Sequence, residues 1–174
     1  IATKRSEVES RRSRKTRSAL ELEIASLPKP RDFHAALHGL SATGRPAVIA
    51  EFKRASPSAG WIRRHADAAE VARAYAAGGA ACISVLTDVE YFRGSDDDLK
   101  TARAACELPL IRKDFIIDEY QVFETRALGA DAMLLIVAAL DDTRLREFSA
   151  LGRELGLAVL VEVHDRAELD RALA

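Results

Sequence analysis

The sequence contains 174 residues, of which 48% are hydrophobic and 30% are charged, and this composition predicts one soluble globular domain with a substantial core. The formal net charge of -1 argues against a general nucleic-acid binder, and no apolar run is long enough to span a membrane. Two cysteines that lie far apart, without a visible signal peptide, favour a reduced cytoplasmic compartment.

Residues 1–46 are predicted to form a helical extension ahead of the first strand. Two amphipathic stretches, residues 6–26 and 31–40, are separated by Leu27-Pro28-Lys29-Pro30, whose prolines end a helix. Basic residues dominate positions 4–17, a pattern typical either of a phosphate-binding arm or of a solvated helix face. We favour the solvated face, because the run contains no aromatic residue that could stack on a base.

Within residues 47–174, short apolar runs alternate with longer stretches of helical spacing. The apolar runs are rich in Val, Ile and Leu and are bounded by loop residues, as buried strands are. They cover residues 47–52, 81–86, 108–112, 132–137 and 157–163. Strands that alternate with helices are parallel and joined by right-handed crossovers, so the predicted fold class is α/β.

The helices between these strands carry start and stop signals of their own. Three aspartates precede an acidic or amide residue by three positions, which is the spacing of a capping box at a helix N-terminus. These pairs are Asp67 with Glu70, Asp118 with Gln121, and Asp165 with Glu168. Three glycines are predicted to end helices in the left-handed conformation, namely Gly78, Gly129 and Gly156.

Five parallel strands are compatible with two architectures. An open doubly wound sheet can be complete with five strands, whereas a closed (β/α)8 barrel requires eight. The final residues, up to Ala174, fall in the helix after the fifth predicted strand. Periodicity alone leaves both a finished open sheet and an unfinished barrel possible.

Ionisable residues occupy the carboxyl ends of three predicted strands, on one face of each. Side chains two apart on a strand share a face. Glu51 therefore shares a face with Lys53, Glu162 shares one with His164, and Lys113 shares one with the apolar Ile111. Ligands and catalytic groups of parallel α/β folds converge at that end. One such residue usually marks where a strand meets solvent, but five of matching parity favour a functional cluster with a proton donor and a base.

Motifs for other common chemistries are not found. There is no Gly-rich phosphate loop and no nucleophile elbow, so neither a nucleotide cofactor nor covalent catalysis is expected. His34 and His38 lie four residues apart without a third ligand motif, which favours surface histidines over a metal site. We interpret Asp96-Asp97-Asp98 as a solvated helix start rather than a calcium site. Neither a metal nor a nucleotide cofactor is therefore expected.

The segment Glu51-Phe52-Lys53-Arg54-Ala55-Ser56-Pro57-Ser58 resembles the first-strand motif of the indole-3-glycerol phosphate synthases, which are (β/α)8 enzymes of tryptophan biosynthesis. Later segments match the family in order through the fifth strand, and the resemblance covers about residues 47–170. These segments are Leu86-Thr87-Asp88 with Tyr91-Phe92-Arg93-Gly94-Ser95, Ile111-Arg112-Lys113-Asp114-Phe115-Ile116-Ile117-Asp118, Gly129-Ala130-Asp131 with Leu134-Leu135-Ile136, and Val161-Glu162-Val163-His164. The resemblance implies that residues 47–174 form strands one to five of an incomplete TIM barrel.

The resemblance also implies a reaction and a set of residues for it. The family, a group of carbon–carbon lyases, converts 1-(o-carboxyphenylamino)-1-deoxyribulose 5-phosphate into indole-3-glycerol phosphate, with loss of carbon dioxide and water and without a metal or organic cofactor. Lys113 would be the general acid of ring closure, Glu162 and Lys53 would serve the later deprotonation and dehydration, and Glu51 would hold this network. Substrate contacts are implied for Ser56 and His164, and for an apolar wall of Phe92, Phe115 and Leu134.

The same resemblance implies that part of the site is missing. An Asn, a second essential Glu and the phosphate-binding backbone lie on strands six to eight of the family, so we expect the chain alone to be inactive. The open strand edges would favour self-association or pairing with the missing carboxyl-terminal part. The alternative function is a non-catalytic half-barrel that acts through association or domain swapping. An open-sheet binding protein of another kind is disfavoured by the ordered motifs.

Overall fold

The computed structural model describes residues 1–174, in nine α-helices and seven short strands. The helices are α1 (Ala2–Arg14), α2 (Arg17–Ser26), α3 (Phe33–Ser41), α4 (Ala68–Ala77), α5 (Val89–Phe92), α6 (Asp96–Ala105), α7 (Glu119–Ala127), α8 (Asp142–Glu154) and α9 (Arg166–Leu173). The strands are β1 (Ile49–Phe52), β2 (Ala55–Ser56), β3 (Gly60–Trp61), β4 (Cys82–Leu86), β5 (Leu110–Lys113), β6 (Ala132–Ile136) and β7 (Ala158–Glu162). A 3₁₀ turn follows β6 at Val137–Ala139. None of the helices combines the length and the apolar character needed to cross a membrane.

Five of the strands form one parallel sheet in the order β1-β4-β5-β6-β7. Apart from the separate hairpin of β2 and β3, strands that are adjacent in the sheet are also consecutive in the chain. The sheet therefore lacks the reversal of strand order that defines a doubly wound sheet. Sequential parallel strands joined by helices are the arrangement of a (β/α)8 barrel, of which this sheet contains five strands. The α/β prediction is confirmed, and β1 and β7 are the open edges.

The predicted strand positions are confirmed to within about two residues at each end, the usual uncertainty of such boundaries. The sequence did not predict the short antiparallel hairpin of β2 and β3, which follows β1 directly. Its backbone returns to the end of β1, where the Arg54 carbonyl oxygen accepts hydrogen bonds from Ile62 N (2.8 Å) and Arg63 N (3.1 Å).

Alternating residues of the sheet bury two different faces. On the outer face, Ile83 and Val85 pack with α4 and α6, while Met133 and Leu135 pack with α8. On the inner face, Ile111 and Leu134 lie in a third cluster, which Phe33 of α3 joins. Since Leu160 of β7 keeps 41% of its surface exposed, the inner face remains open beside that edge.

The amino-terminal region contains three helices where the sequence indicated two amphipathic stretches. The first stretch begins earlier than predicted and is interrupted, because Lys15 adopts an extended backbone and Thr16 caps a new helix. The Thr16 hydroxyl accepts a hydrogen bond from Ala19 N at 3.3 Å. The break at the prolines, before α3, is confirmed.

Helix capping follows the predictions in part. Asp67 and Asp165 accept hydrogen bonds from Glu70 N and Glu168 N, each at 2.8 Å, which is one half of a capping box. The reciprocal half is not formed at Asp165, because Glu168 accepts from His164 N instead. Asp118 instead accepts from Tyr120 N, and the Gln121 side chain binds Ile117 N and the Phe115 carbonyl oxygen.

The glycine prediction is wrong at Gly78. Its φ of -75° is helical, and the next residue, Gly79, adopts the left-handed conformation with φ +82°. Helix α4 therefore ends one residue later than the pattern indicated. Gly129 and Gly156 have positive φ as predicted, which a residue without Cβ adopts at low cost.

Candidate active site

Four charged side chains meet at the carboxyl end of the sheet. Lys53 Nζ lies 2.8 Å from Glu51 Oε1, and Lys113 Nζ lies 3.9 Å from Glu51 Oε2 and 3.4 Å from Glu162 Oε2. Glu51 pairs in register with Ser84 and Lys113 with Leu86, so the strand ends align and their inward side chains converge. The convergence expected from strand parity is therefore present.

His164 extends this cluster beyond β7. Its Nε2 lies 3.3 Å from Glu162 Oε1, and its Nδ1 lies 3.1 Å from Glu168 Oε2. The hydrogen bond to Glu168 raises the pKa of the imidazole, and the charges of Glu168 and Glu162 raise it further. The imidazole is exposed and bridges two carboxylates, one on β7 and one on α9.

A cavity of about 170 Å³ opens beside Lys113 and Glu162. Its lining includes the three residues predicted as an apolar wall, namely Phe92, Phe115 and Leu134. The Phe92 and Phe115 rings are 6.3 Å apart between centroids. The other lining residues, which the sequence did not indicate, are Leu86, Asp88, Asp114 and Ile136. Leu86 and Ile136 were detectable, because each has the inward parity of its own strand.

Four predicted site residues do not line this cavity, namely Glu51, Lys53, Ser56 and His164. Ser56 belongs to the hairpin, where its hydroxyl accepts a hydrogen bond from Ala59 N at 3.1 Å. Lys53 lines a larger space of about 400 Å³ between β1 and α4, which contains none of Glu51, Lys113 and Glu162. We take the smaller cavity as the candidate site, because the Lys113–Glu162 pair of the charged cluster lies on its aromatic wall.

The amino-terminal basic run is not a solvated helix face throughout, so that interpretation is wrong for two of its members. Lys4 is 4% exposed, and Arg11 is largely buried, with ion pairs to Glu7, Asp96 and Glu124. Through Arg11, helix α1 therefore forms ion pairs with α6 and α7, two helices that cover the parallel sheet. Because buried cations need partners, these contacts join α1 to the rest of the chain.

The acidic run at the start of α6 also differs from its interpretation. Helix α6 begins at Asp96 as predicted, and Asp97 is solvated, with 90% of its side chain exposed. Asp96 and Asp98 are instead paired with arginines, Asp98 with Arg54 and Asp96 with Arg11 and Arg112. They join the extended network of ion pairs rather than a solvated surface.

Arg112 is the centre of that network. It lies on β5 with its side chain on the face opposite Lys113, and it is 1% exposed. Its guanidinium contacts Glu124 at 2.8 Å and both Asp96 and Asp114 at 3.3 Å. Burial alone would lower the pKa of Arg112, but these carboxylates raise it, so the buried cation is held by its partners.

Asp114 should make the folded chain sensitive to acid. Burial alone would raise the pKa of this carboxyl group, but Arg112 and Lys4 lower it from its ordinary value of 3.8 to about 2. Such a group stabilises the folded state above pH 3.8, and the contribution is lost as the pH falls toward about 2. In urea titrations, the free energy of unfolding should therefore fall between these pH values by about 2 kcal/mol more in the wild type than in Asp114→Asn.

The exposed Asp97 provides the control for this pH experiment, since Asp97→Asn should keep the wild-type dependence of stability on pH. Equal pH dependence in the wild type and Asp114→Asn would contradict the role of Asp114.

The geometry suits acid–base chemistry on a small aromatic molecule. Lys113 carries a donor and Glu162 an acceptor at the wall of an apolar cavity, and Glu51 connects the two lysines. His34 and His38 are exposed and stack on each other at 6.2 Å between ring centroids. No group of three or more His, Cys, Asp and Glu side chains is arranged to hold a metal ion.

The chain is similar over its whole length to one group of proteins. The family model described as indole-3-glycerol phosphate synthase matches residues 1–174. Proteins named indole-3-glycerol phosphate synthase from Laribacter hongkongensis and Burkholderia multivorans are each 56% identical to it over 173 residues, and one from Albidiferax ferrireducens is 53% identical. Each alignment covers 99% of this chain but 66% of the relative, so the chain spans about two thirds of the relatives' length.

Proposed function

Because the chain belongs to the indole-3-glycerol phosphate synthase family, we propose that it carries the acid–base half of that enzyme's active site. The whole protein would convert 1-(o-carboxyphenylamino)-1-deoxyribulose 5-phosphate into indole-3-glycerol phosphate, carbon dioxide and water. The observation that carries the proposal is the pairing of Lys113 with Glu162, 3.4 Å apart, on an aromatic-walled cavity. The two unpaired cysteines are compatible with the cytoplasmic compartment that we propose for this enzyme.

Ring closure needs a proton at one defined oxygen. The ring carbon that bears the substrate carboxyl group bonds to the sugar carbonyl carbon, and the carbonyl oxygen becomes a hydroxyl group. Lys113 would supply that proton from the cavity wall, and carbon dioxide would then leave as the ring regains aromaticity. Because the developing negative charge lies on the carbonyl oxygen, an aimed ammonium group stabilises this transition state more than the ground state.

The second half of the reaction removes water. The new hydroxyl group leaves with a proton, and a neighbouring proton is lost to form the indole double bond. Glu162 is the carboxylate on the cavity, and we propose it as the group that accepts or relays a proton there. Lys53 would assist departure of the hydroxyl group, while Glu51, between the two lysines, would keep both ammonium groups oriented.

Substrate binding would divide between two regions. The aromatic ring would occupy the cavity beside Phe92, Phe115 and Leu134, and its binding would displace water from this wall. We propose Ser56 and His164 as contacts from the rim. The phosphate group would be bound by the part of the relatives that extends beyond the matched two thirds.

The open strands suggest how that remaining part would attach. Both β1 and β7 have a free edge, and Leu160 on the inner face of β7 is 41% exposed. We propose that a complementary segment pairs with these edges and covers Leu160. Association of two copies would cover the same residues, but it would supply no new type of side chain to the site.

A turnover assay separates these possibilities. Joined to the carboxyl-terminal third of the Laribacter hongkongensis relative, the chain should form indole-3-glycerol phosphate, detected by chromatography, and the relative itself serves as the positive control. The chain alone, residues 1–174, should give no product. Product from the chain alone would overturn the half-site proposal, whereas a folded but inactive joined protein would overturn the proposed function.

A further inference from the structure

Helix α1 contacts the rest of the chain through an unusual residue for a helix interface. Its two buried residues are Val8 and Lys4. The Lys4 ammonium group is surrounded by three carboxylates, with Nζ 2.7 Å from Glu7, 2.8 Å from Asp114 and 2.9 Å from Asp88. Glu7 belongs to the same helix, so the other two contacts bind α1 to the sheet domain.

The two distant partners each follow a strand of the candidate site. Asp88 comes after β4 and caps α5, where its Oδ1 accepts a hydrogen bond from Tyr91 N at 2.8 Å. Asp114 comes after β5, where its Oδ1 accepts from Phe115 N at 2.8 Å and its Oδ2 from Thr87 Oγ1 at 2.6 Å. One ammonium group therefore links the turns at the carboxyl ends of two neighbouring strands.

These turns carry the aromatic wall. Phe92 is the last residue of the short helix that Asp88 caps, and Phe115 follows Asp114 directly. Both phenyl rings line the cavity of about 170 Å³ that contains Lys113. Both also line a second space of about 250 Å³ that contains Lys4, so the ring pair separates Lys4 from the candidate site.

Without the lysine, the carboxylates would be left in an unfavourable position. Asp88 is 1% exposed and Asp114 is 3% exposed. Apart from the ion pair with Lys4 at 2.9 Å, the Asp88 Oδ2 atom has no partner. Asp114 would keep Arg112, but Asp88 would have to find water, and the turn that it caps would move with it.

The charge at this position is permanent at neutral pH. Burial alone would lower the pKa of Lys4, but Asp114, Glu7 and Asp88 together raise it above its ordinary value. Lys4 therefore acts as a fixed cation and not as a proton donor.

We propose that Lys4 is a positioning residue of the active site, which holds the Asp88 and Asp114 turns together and thereby sets the separation of Phe92 and Phe115. This inference rests on the proposed function, because it makes α1 part of the subsite for the substrate's aromatic ring. Lys4 does not touch the cavity that would contain the substrate. Its effect on binding would be transmitted by the two aspartates.

The test compares Lys4→Met with Lys4→Arg in the joined protein described above. Lys4→Met should raise KM by about tenfold or more, with kcat changed by less than about threefold, because the ring subsite loses its shape while Lys113 remains. Lys4→Arg keeps the charge and should have a KM closer to the wild-type value. Lys15→Met, which removes an ion pair to Glu23 on a side chain that is 40% exposed, is the control and should leave KM unchanged.

A purely structural role would lower thermal stability and leave KM of the folded enzyme at the wild-type value, and that result would overturn the proposal. A KM in Lys4→Arg as high as in Lys4→Met would do the same. If Lys4→Met does not fold, Asp88→Asn provides the milder variant, because it can keep the capping oxygen while it removes the carboxylate charge that pairs with Lys4. Asp88→Asn should also raise KM, and an unchanged KM would overturn the proposal.

Hydrogen exchange on the chain of residues 1–174 tests the inference without turnover. In Lys4→Met or Asp88→Asn, the amides of Tyr91 and Phe115 should exchange at least about tenfold faster than in the wild type, while that of Glu70, which Asp67 caps, should not change. Unchanged exchange at Tyr91 and Phe115 would reject the role of Lys4. An inactive wild-type joined protein would instead reject the proposed function.

Discussion

Replacing Lys113 by alanine should lower kcat for indole-3-glycerol phosphate formation by about 10²–10⁴-fold, the range for loss of a general acid. Lys113 is the one lysine that lines the cavity with the aromatic wall, and its ammonium group lies 3.4 Å from Glu162. Because the proton would be delivered in the transition state, KM should change far less than kcat. Steady-state kinetics of the joined protein provide the measurement.

Two other lysines are matched controls for this experiment. Lys100→Ala removes a lysine from α6 whose side chain is 57% exposed, and it should leave kcat unchanged. Lys53→Ala removes the other ammonium group of the cluster, which pairs with Glu51 at 2.8 Å but does not line the cavity. It should lower kcat less than Lys113→Ala. A loss below about tenfold in Lys113→Ala would reject Lys113 as the acid.

The sequence predicted the convergence of charged side chains because two regularities of strands are independent of long-range detail. Side chains alternate between faces, and parallel strands end at a common edge. Those rules are sufficient to predict that Glu51, Lys53, Lys113 and Glu162 lie at one edge of the sheet, where their side chains are in contact. The chemical roles of these residues stay predictions, which the kinetics of the Lys113 and Lys53 variants test.

The sequence did not predict the burial of Lys4 and Arg11, because all of their partners except Glu7 lie far along the chain. Asp88, Asp96, Asp114 and Glu124 are separated from α1 by more than seventy residues. A local pattern of basic residues is more often solvated than buried. One signal was available, since Lys4, Val8 and Arg11 have the spacing of a single helix face, but this pattern does not indicate which partners face it.

A second large effect is expected at the opposite end of the sheet, where Asp131 precedes β6. Its side chain is fully buried and accepts three hydrogen bonds, from Arg31 N and Arg103 at 2.6 Å and from Leu110 N at 2.8 Å. Asp131→Ala would leave two backbone N–H groups without this acceptor and the Arg103 cation unpaired. The free energy of unfolding should fall by about 3–5 kcal/mol, a large part of the usual total of roughly 5–15 kcal/mol.

Urea unfolding of the chain measures this loss as a lower midpoint at an unchanged slope. Arg31 N and Leu110 N bind different oxygens of Asp131, so Asp131→Asn keeps an acceptor for only one of them and no charge for Arg103. Its loss should be intermediate. Asp97→Ala, on a side chain that is 90% exposed, should change stability by less than about 0.5 kcal/mol. Because Asp131 lies at the amino-terminal end of the strands, opposite the edge that carries the candidate site, the folded Asp131→Asn joined protein should retain the wild-type kcat. A stability loss below about 1 kcal/mol in Asp131→Ala would show that these buried contacts are replaced by water or by rearrangement of the backbone.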